Sequence, residues 1–361
     1  MPELKRTYII AEAGVNHNGS ITMARQLVDA AVDAGADAVK FQTFKAEKLM
    51  CNGAPKAEYQ IRLTDPGESQ LEMVRNLELD EPAHRLIIGY CQERGIHFLS
   101  SPFDLDSVDL LIRNCDPPYI KIASGEITNA PLLLKIARTG KPALLSTGMS
   151  MLGEVEMALG VLAFGYGQSD ESPSLGAFQR AYRSEAGQDA LGQKVILLHC
   201  TTEYPAPFQE IDLQSMDTLR TAFGLPVGYS DHTTGIAVPV AAVARGAIVV
   251  EKHFTLDRAL PGPDHKASLE PDELRQMVRS IRQVEVSLGS SLKIPAASEI
   301  KNRDIARKSL VAACAIKKGD LLTDANLTCK RPGTGVSPMY YWDWLGKTAG
   351  RDYARDELIG P

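Results

Sequence analysis

The feature that most constrains this chain is an alternation of short apolar strand patterns with helical patterns, from residue 8 to about residue 290. Eight such units follow one another, and several helical segments end at glycine, as helices often do. The predicted strands are Tyr8–Ala11, Ala38–Phe41, Ile96–Leu99, Tyr119–Ile122, Ala143–Leu145, Val195–Leu198, Val227–Gly228 and Ile248–Val250. Eight strand-helix repeats predict a (β/α)8 TIM barrel. A doubly wound sheet would usually carry G-x-G-x-x-G after its first strand, where this chain has EAGVNHNGS.

The pattern changes after about residue 288. The polar stretch IPAASEIKNRDIARK leads into short strand patterns with turn signals at KKGD and PGTG. We therefore expect a barrel over residues 1–288, a linker over 289–305 and a small β-rich domain over 306–361. The long polar segment Gly165–Gln193 falls between a helix and the next strand, on the barrel face opposite the usual active site, and is interpreted as a surface loop.

Composition argues against several classes of function. The formal net charge of −6 gives no electrostatic footprint for nucleic acid or an anionic membrane. No apolar run approaches the roughly 18 residues that a membrane span needs, and the N-terminal sequence passes directly into a strand pattern, so we expect a cytoplasmic protein. The six cysteines form no C-x-x-C pair, which argues against a disulfide framework or a cysteine zinc site.

Polar residues follow almost every predicted strand, where barrel enzymes have their active sites. They are Glu12 and Asn16; Lys40 and Gln42; Ser101; Lys121, Ser124 and Glu126; Ser146 and Thr147; His199, Thr202, Glu203 and Tyr204; Ser230, Asp231 and His232; Glu251 and His253. Lys40 and Lys121 stand in the otherwise apolar strands DAVKFQ and YIKIAS. Burying an ammonium group costs several kcal/mol unless an anion pairs with it. Two such lysines with nearby serine hydroxyls predict a cradle for phosphate and carboxylate groups.

Two of the seven histidines, His232 and His253, end successive strands. Two imidazoles on adjacent strands can bind one divalent cation and leave positions open for water and substrate, which fits Mn²⁺ or Mg²⁺ better than a closed zinc site. Such a cation would act as a Lewis acid on an aldehyde oxygen. The carboxylates Glu12, Glu126 and Asp264 are expected on the same face, where one could position a water and another could orient sugar hydroxyls; the residues leave that choice open.

Segments along the whole barrel resemble the sialic acid synthase family, in the same order. They are IAEAGVNHNGS, VKFQTFKAEKL, FLSSPFD, YIKIASGEITN, LLSTGMS, LLHCTTEYPAPF, GYSDHTTGI and VVEKHFTLDRALPGPDHKASLEP. The tail ARKSLVAACAIKKGDLLTDANLTCKRPGTG resembles the antifreeze-like C-terminal domain of that family. The resemblance therefore covers essentially the full chain.

The resemblance implies that phosphoenolpyruvate condenses with an N-acetylmannosamine-type aldehyde and that phosphate leaves by C–O cleavage. It places phosphoenolpyruvate on Lys40, Ser101, Lys121, Thr202 and Ser230, although some relatives have Asn at the position of Thr202. It places the metal on His232 and His253. Gln42, Glu126, Tyr204 and Asp264 would meet the sugar or the metal-bound water. The candidate catalytic residues are Glu12, Lys121, Glu126 and Asp264, with Glu12 as acid or base.

The family also implies a domain-swapped homodimer in which Arg331 of KRPGTG reaches the partner's site, whereas spacing alone would make Arg331 a turn residue. Within that family, four segments look closer to the legionaminic acid branch: EAGVNHNG, TTEYPAPF, GYSDHTTG and DHKASLEP. The favoured product is therefore N,N'-diacetyllegionaminate, with N-acetylneuraminate next. Three alternatives stay open. They are a phosphoenolpyruvate-condensing barrel that acts on a sugar phosphate, a Schiff-base aldolase that uses Lys40 or Lys121, and a carbohydrate- or ice-binding protein.

Overall fold

Eight parallel strands form a nearly closed barrel in the first of two units of the chain, Met1–Gly289. The strands are β1 (Tyr8–Gly14), β2 (Ala38–Thr43), β3 (His97–Pro102), β4 (Ile120–Ile122), β5 (Ala143–Ser146), β6 (Val195–His199), β7 (Val227–Asp231) and β8 (Val249–His253). Their order is β3-β2-β1-β8-β7-β6-β5-β4. The computed structural model describes residues 6–51, 53–57, 60–61, 64, 67–168 and 170–360.

The predicted barrel is confirmed, and each predicted strand overlaps an observed one. Most observed strands extend further at their C-terminal ends than the apolar pattern indicates. The reason is that polar residues such as Glu12, Ser101 and Asp231 still belong to the hydrogen-bonded strands. Sequence hydropathy therefore ends each strand too early where its last residues belong to a polar site.

Helices connect the strands. They are α1 (Ile21–Ala34), α2 (Ala46–Leu49), α3 (Gln70–Asn76), α4 (Glu81–Arg94), α5 (Leu105–Asn114), α6 (Ala130–Arg138), α7 (Leu152–Tyr166), α8 (Leu175–Arg183), α9 (Glu185–Lys194), α10 (Ser215–Phe223), α11 (Ala237–Ala244) and α12 (Pro271–Leu288). In α1, the Ser20 side chain accepts a hydrogen bond from Met23 N and begins the helix, while Leu27, Val28 and Ala31 are fully buried at helical spacing. No helix in the described part of the chain is long and apolar enough to cross a membrane.

The inside of the barrel changes from apolar to polar along the strands. One end is filled by a buried cluster that includes Tyr8, Ile10, Leu99, Leu144 and Ile196. Side chains two residues apart in a strand point to the same side. The inward side of β1 therefore passes from Ile10 to Glu12, that of β2 from Ala38 to Lys40, and that of β8 from Val249 to Glu251 and His253. This apolar layer closes the barrel beneath the polar residues.

The segment Gly165–Gln193 is mostly helical, so its interpretation as a loop was wrong. It carries the end of α7, all of α8 and most of α9, while Ser169 lies outside the described residues. The Ser174 and Ser184 side chains accept hydrogen bonds from Ala177 N and Gly187 N and begin the two helices. Phe178 packs edge-on against Phe164 of α7, with 5.3 Å between ring centroids. This packing gives α8 an apolar contact with α7, which the polar composition of the segment does not indicate.

The second unit, Ser290–Pro361, contains the predicted small β-rich fold. Its antiparallel strands β9 (Ser309–Ala312) and β10 (Leu327–Lys330) pack with Ile316, Tyr353 and Ile359 in a core of their own. Helix α13 (Ala297–Ala306) lies mostly within the stretch expected as a linker, and α14 (Tyr341–Trp344) is a single turn.

Candidate active site

The register of the strands brings the polar residues of the barrel side by side. Glu12 of β1 pairs with Lys40 of β2 on one side and with His253 of β8 on the other. Ser230 of β7 pairs with Glu251 of β8. These five residues therefore lie next to one another although they are far apart in the sequence.

An irregularity in the pairing of β1 with β2, between Glu12 and Gly14, makes room for this arrangement. Gly14 has a φ of 53°, and a Cβ atom there would lie 3.3 Å from both Glu12 Oε1 and His253 Cε1. Because both atoms belong to buried side chains, a larger residue would displace Glu12 or His253. The glycine thus allows the carboxyl group and the imidazole to be close neighbours.

Lys40 lies at the centre of a buried group of polar atoms. Its Nζ is 2.7 Å from Glu12 Oε2, 3.7 Å from Glu251 Oε2 and 3.1 Å from Ser101 Oγ, to which it donates a hydrogen bond. Lys40 is 3% exposed and Glu12 is 1% exposed. The expected cost of burying this ammonium group is thus offset by the carboxylate of Glu251 and by the acceptor oxygens of Glu12 and Ser101.

Lys121 approaches the same cluster from β4. Its Nζ is 3.4 Å from Glu251 Oε1, and that oxygen also accepts a 2.7 Å hydrogen bond from Ser230 Oγ. Glu251 therefore bridges the two lysines with its two oxygens. The expectation that Lys40 and Lys121 converge in a buried site agrees with this geometry.

The two carboxyl groups of the cluster have pKa values on opposite sides of neutrality. Burial raises the pKa of Glu12 to about 8, against the opposing effect of Lys40. Burial also acts to raise the pKa of Glu251, but Lys121 and Lys40 together outweigh it and hold the pKa at about 2. At pH 7, Glu12 is therefore mostly protonated and Glu251 is ionised. Two ammonium groups then face one carboxylate, and the buried cluster has an excess of positive charge.

Two hydroxyl groups beside the cluster lack partners. Ser146 Oγ and Thr202 Oγ1 are buried and make no hydrogen bond within the described residues. A Cβ atom at Gly148 would collide with Thr202 Oγ1 and lie 2.8 Å from Ser124 Oγ. The absence of a side chain at Gly148 therefore lets the backbone approach the hydroxyl groups of Thr202 and Ser124. An unpaired buried hydroxyl costs about 1–3 kcal/mol, and an anionic ligand would satisfy it.

His232 and His253 lie with their ring centroids 5.7 Å apart. His232 Nδ1 is 2.5 Å from Thr201 O, so this nitrogen carries the hydrogen, and Nε2 faces the Tyr204 hydroxyl at 3.3 Å. His253 Nδ1 is buried and has no hydrogen-bond partner in the described part of the chain. Burial lowers the pKa of both histidines, which keeps the imidazoles neutral.

Neutral imidazoles with an available lone pair are suitable metal ligands. Within the described residues, no group of three or more His, Cys, Asp and Glu side chains could hold a metal ion. The pair would therefore provide two ligands and leave the remaining positions to water and substrate.

A buried ion pair lies directly behind the two histidines. Lys252 and Asp231, each one residue before a histidine, are fully buried, and Lys252 Nζ is 2.5 Å from Asp231 Oδ2. Tyr229 OH donates to Asp231 Oδ1 at 3.1 Å. The ion pair joins β7 to β8 at the height of the histidines.

The remaining predicted barrel residues line the same cavity, which encloses about 310 Å³. They are Gln42, Glu126, Thr202, Tyr204 and Asp264. Glu126 Oε2 accepts a 2.7 Å hydrogen bond from Asn129 Nδ2, and burial raises the pKa of Glu126. Burial also raises the pKa of Asp264 to about 6. All the barrel residues to which the resemblance gives a role are therefore in one cavity. Of the other polar residues predicted at the strand ends, five do not line it: Asn16, Thr147, His199, Glu203 and Asp231.

Arg331 belongs to the second unit. It is exposed, and its Nε donates a 2.9 Å hydrogen bond to Ala306 O.

Comparison with known families decides where the chain belongs. The profile of the NeuB family matches residues 27–293, and that of the SAF domain matches residues 307–361. The chain belongs to the NeuB family. The predicted resemblance to sialic acid synthases is thereby confirmed. As a member of this family, the protein is an enzyme, a synthase that forms carbon–carbon bonds.

Individual NeuB relatives match nearly the whole chain. The N,N'-diacetyllegionaminic acid synthase of Campylobacter jejuni is 51% identical over 99% of both chains. The enzyme of the same name from Legionella pneumophila is 45% identical over 92% of this chain and 87% of its own. A crystal structure of N-acetylneuraminic acid (sialic acid) synthetase from Leptospira borgpetersenii has a TM-score of 0.67 and 31% identity, over 82% of this chain and 90% of that one.

Sequence reasoning assigned no role to Glu251, although the structure places it between both lysines. A signal was present, because Glu251 precedes His253 by two residues and must share its inward side. It also missed an apolar part of the cavity wall that includes Phe44, Met50 and Phe103. That wall comes from loops and short helices, which show no inward and outward alternation.

Proposed function

We propose that this NeuB enzyme condenses phosphoenolpyruvate with the open-chain aldehyde of an N-acetylmannosamine-type amino sugar, with water, to give a nine-carbon sialic acid-type sugar and phosphate. The product we favour is N,N'-diacetyllegionaminate, with N-acetylneuraminate next. The observation that carries the proposal is the buried cluster of two lysines with an excess of positive charge beside unpaired hydroxyls. The two legionaminic acid synthases among the relatives support the choice of sugar.

Phosphoenolpyruvate suits this cluster because it carries a phosphate and a carboxylate close together. Lys40 and Lys121 would bind these anionic groups through charge-assisted hydrogen bonds. The hydroxyls of Ser101, Thr202 and Ser230 would complete the cradle. The unpaired Thr202 hydroxyl fits a donor to phosphate, so the departure from Asn at this position retains the needed chemistry.

His232 and His253 would hold a divalent cation, Mn²⁺ or Mg²⁺, because both imidazoles are neutral and line the cavity. Such a cation would supply Lewis-acid polarisation of the sugar's aldehyde oxygen. The Thr201 carbonyl fixes the tautomer of His232, as a backbone acceptor commonly does for a metal-binding histidine. The Asp231–Lys252 ion pair would hold the two strands that carry these ligands.

Glu12 has the protonation state of a general acid. In the addition step, C3 of phosphoenolpyruvate bonds to the aldehyde carbon, and the aldehyde oxygen must gain a proton. The Glu12 carboxyl lies beside His253 and retains its proton at pH 7. We therefore assign the donated proton to Glu12.

Glu126 is our candidate base for the second step. Water adds to C2 of the former phosphoenolpyruvate and loses a proton, and the C–O bond to phosphate then breaks. Asn129 orients the Glu126 carboxyl at the cavity wall. Lys121 would stabilise the departing phosphate, while Asp264, Gln42 and Tyr204 would orient the sugar hydroxyls.

A homodimer would complete the site if the second unit is exchanged between subunits. We propose that Arg331 reaches the partner's cavity, since its exposed guanidinium could bind an acyl carbonyl of the sugar.

A Schiff-base mechanism is less compatible with Lys40. Burial acts to lower its pKa, but Glu12 and Glu251 more than compensate and raise it, so the amine stays protonated and is a poor nucleophile. Borohydride trapping with substrate should leave the chain unlabelled. A covalent label on Lys40 or Lys121 would contradict the proposal.

The direct test is phosphate release from phosphoenolpyruvate with Mn²⁺, using 2,4-diacetamido-2,4,6-trideoxymannose and N-acetylmannosamine in turn. We expect release with the diacetamido sugar and a product mass equal to both substrates plus water minus phosphoric acid. The Lys121→Ala variant is the control for contaminating phosphatase. Absence of phosphate release above this control with either sugar would refute the proposed function.

A further inference from the structure

The cavity has an apolar side that the chemistry proposed above does not use. Its wall is formed by the excursion between β2 and β3 together with the start of the next loop. We call it the apolar lobe, and define it as Phe44, Leu49, Met50, Met73, Leu77 and Phe103. These side chains line the same cavity as Lys40 and the two histidines.

The apolar lobe is a built structure with its own small core. Phe44 and Met73 are buried, and Phe44 packs edge-on against Phe103 with 6.2 Å between ring centroids. Glu78 ties the excursion to its own start, because its carboxylate is 2.6 Å from Lys45 Nζ and accepts a 3.0 Å hydrogen bond from Ala46 N. The lobe is therefore held in place next to the reaction site.

Several lobe side chains keep apolar surface for a ligand. Leu49, Met50, Leu77 and Phe103 are only half-buried, although all four line the cavity. A ligand that covers them with apolar groups would remove this surface from water. A ligand that places a hydroxyl there would have to bury a polar group without a partner on the lobe.

One amide stands beside the lobe. Gln60 lines the cavity, and its Oε1 accepts a 2.9 Å hydrogen bond from Ala57 N. This bond fixes which end of the amide is the acceptor and leaves the NH₂ group as a donor. An acylamino group of a ligand offers the carbonyl that such a donor requires.

The charges of the cavity show which end of the substrate meets the lobe. Among its described lining residues, the only lysines or arginines are Lys40 and Lys121, and both belong to the polar cluster at the strand ends. The aldehyde carbon of the sugar must lie by that cluster to react, so the far end of its carbon chain extends towards the remaining wall. A phosphate at that far end would find no cation among these residues, which disfavours a sugar phosphate.

We propose that the apolar lobe and Gln60 form a specificity subsite for the far end of the sugar. The lobe would contact a C6 methyl group, and the Gln60 NH₂ would donate to the carbonyl of a second acylamino group at C4. This inference rests on the proposed function and adds the residues that select the sugar.

Three sugars distinguish the contact of the lobe with the C6 methyl group from the contact of Gln60 with the C4 acylamino group. They are 2,4-diacetamido-2,4,6-trideoxymannose, 2-acetamido-2,6-dideoxymannose, which lacks the C4 acylamino group, and N-acetylmannosamine, which also regains the C6 hydroxyl. The assay is phosphate release, and kcat/KM is measured for each sugar. Met50→Gln should lower kcat/KM for both deoxy sugars about tenfold relative to N-acetylmannosamine, as expected for one lost apolar contact. Gln60→Leu should reduce the preference for the diacetamido sugar over the monoacetamido deoxy sugar by a similar factor.

Two controls keep the result interpretable. Met50→Leu retains an apolar side chain and should keep the wild-type preference, while Met157→Gln makes the same change on an exposed site of α7 and should alter none of the three values. Equal loss for all sugars in Met50→Gln and Gln60→Leu, or no loss, would overturn the inference while the proposed function stands. No turnover of any sugar by the wild-type enzyme would refute the proposed function and the inference with it.

Discussion

The protonation of Glu12 provides the sharpest test of the proposed chemistry. Burial raises its pKa to about 8 from an ordinary value of 4.5. If Glu12 donates the proton to the aldehyde oxygen, the active enzyme is the one in which Glu12 is protonated. We therefore expect kcat/KM, which reports the free enzyme, to fall as the pH rises above about 8.

The size of the effect follows from the titration of one group. A group with a pKa of about 8 is half protonated at pH 8 and about one-eleventh protonated at pH 9, so kcat/KM should fall about fivefold over this unit and about tenfold per pH unit above it. Stability should change with the same group. The unfolded chain releases this proton near its ordinary pKa of 4.5, whereas the folded protein retains it to about 8. The free energy of unfolding should thus decrease as the pH rises through this interval and level off above it, by a few kcal/mol in all.

The Glu12→Gln variant distinguishes the contribution of Glu12 to the pH dependence from the contributions of all other ionisable groups. The variant keeps the shape of the neutral carboxyl but has no proton to donate, so its kcat/KM should be at least about 100-fold lower and independent of pH around 8. Its stability, measured by urea unfolding without substrate at pH 6 and pH 8.5, should change less with pH than that of the wild type. A wild-type profile without a decline near pH 8, or the same decline in Glu12→Gln, would show that Glu12 is not the acid.

Three further outcomes are expected. Thorough chelation should abolish turnover and Mn²⁺ should restore it, and full activity after chelation would exclude the metal. Arg331→Ala and Lys121→Ala should each be inactive alone, whereas a mixed dimer should recover activity in one of its two sites; no recovery despite demonstrated subunit exchange would contradict the shared site. Asp231→Asn should destabilise the barrel by about 3–5 kcal/mol, because it removes the only carboxylate paired with the buried Lys252 among the described residues and leaves its Nζ only neutral acceptors such as Thr233 O; an unchanged urea midpoint would show that the pair is dispensable.

The barrel could be predicted from sequence because its pattern is local and repeated. Each strand is a short apolar run, and Lys40, Lys121, His232 and His253 lie within their strands or directly after them, so position alone predicts these four residues. The topology of a parallel barrel then requires them to converge, whatever their distance in the sequence.

Other features depend on contacts that no local pattern records. Helix α8 is stabilised by the packing of Phe178 on Phe164, which lies outside its own sequence. The apolar lobe combines residues from α2, α3 and the loop after β3, and its members resemble an ordinary core until their common cavity is seen. The opposite pKa shifts of Glu12 and Glu251 depend on a few ångströms of separation from two lysines, which only the register of the strands determines.

The polar cluster and the apolar lobe come from different parts of the chain, and this separation has an evolutionary consequence. The cluster is made by strand ends that cannot change without disturbing the barrel itself. Apart from Phe103, the lobe side chains come from one excursion between β2 and β3, which can vary in length and composition while the strands stay in place. A lineage could therefore acquire a new sugar by remodelling a single surface segment, and a laboratory exchange of residues 44–77 between relatives could transfer substrate preference without rebuilding the catalytic machinery.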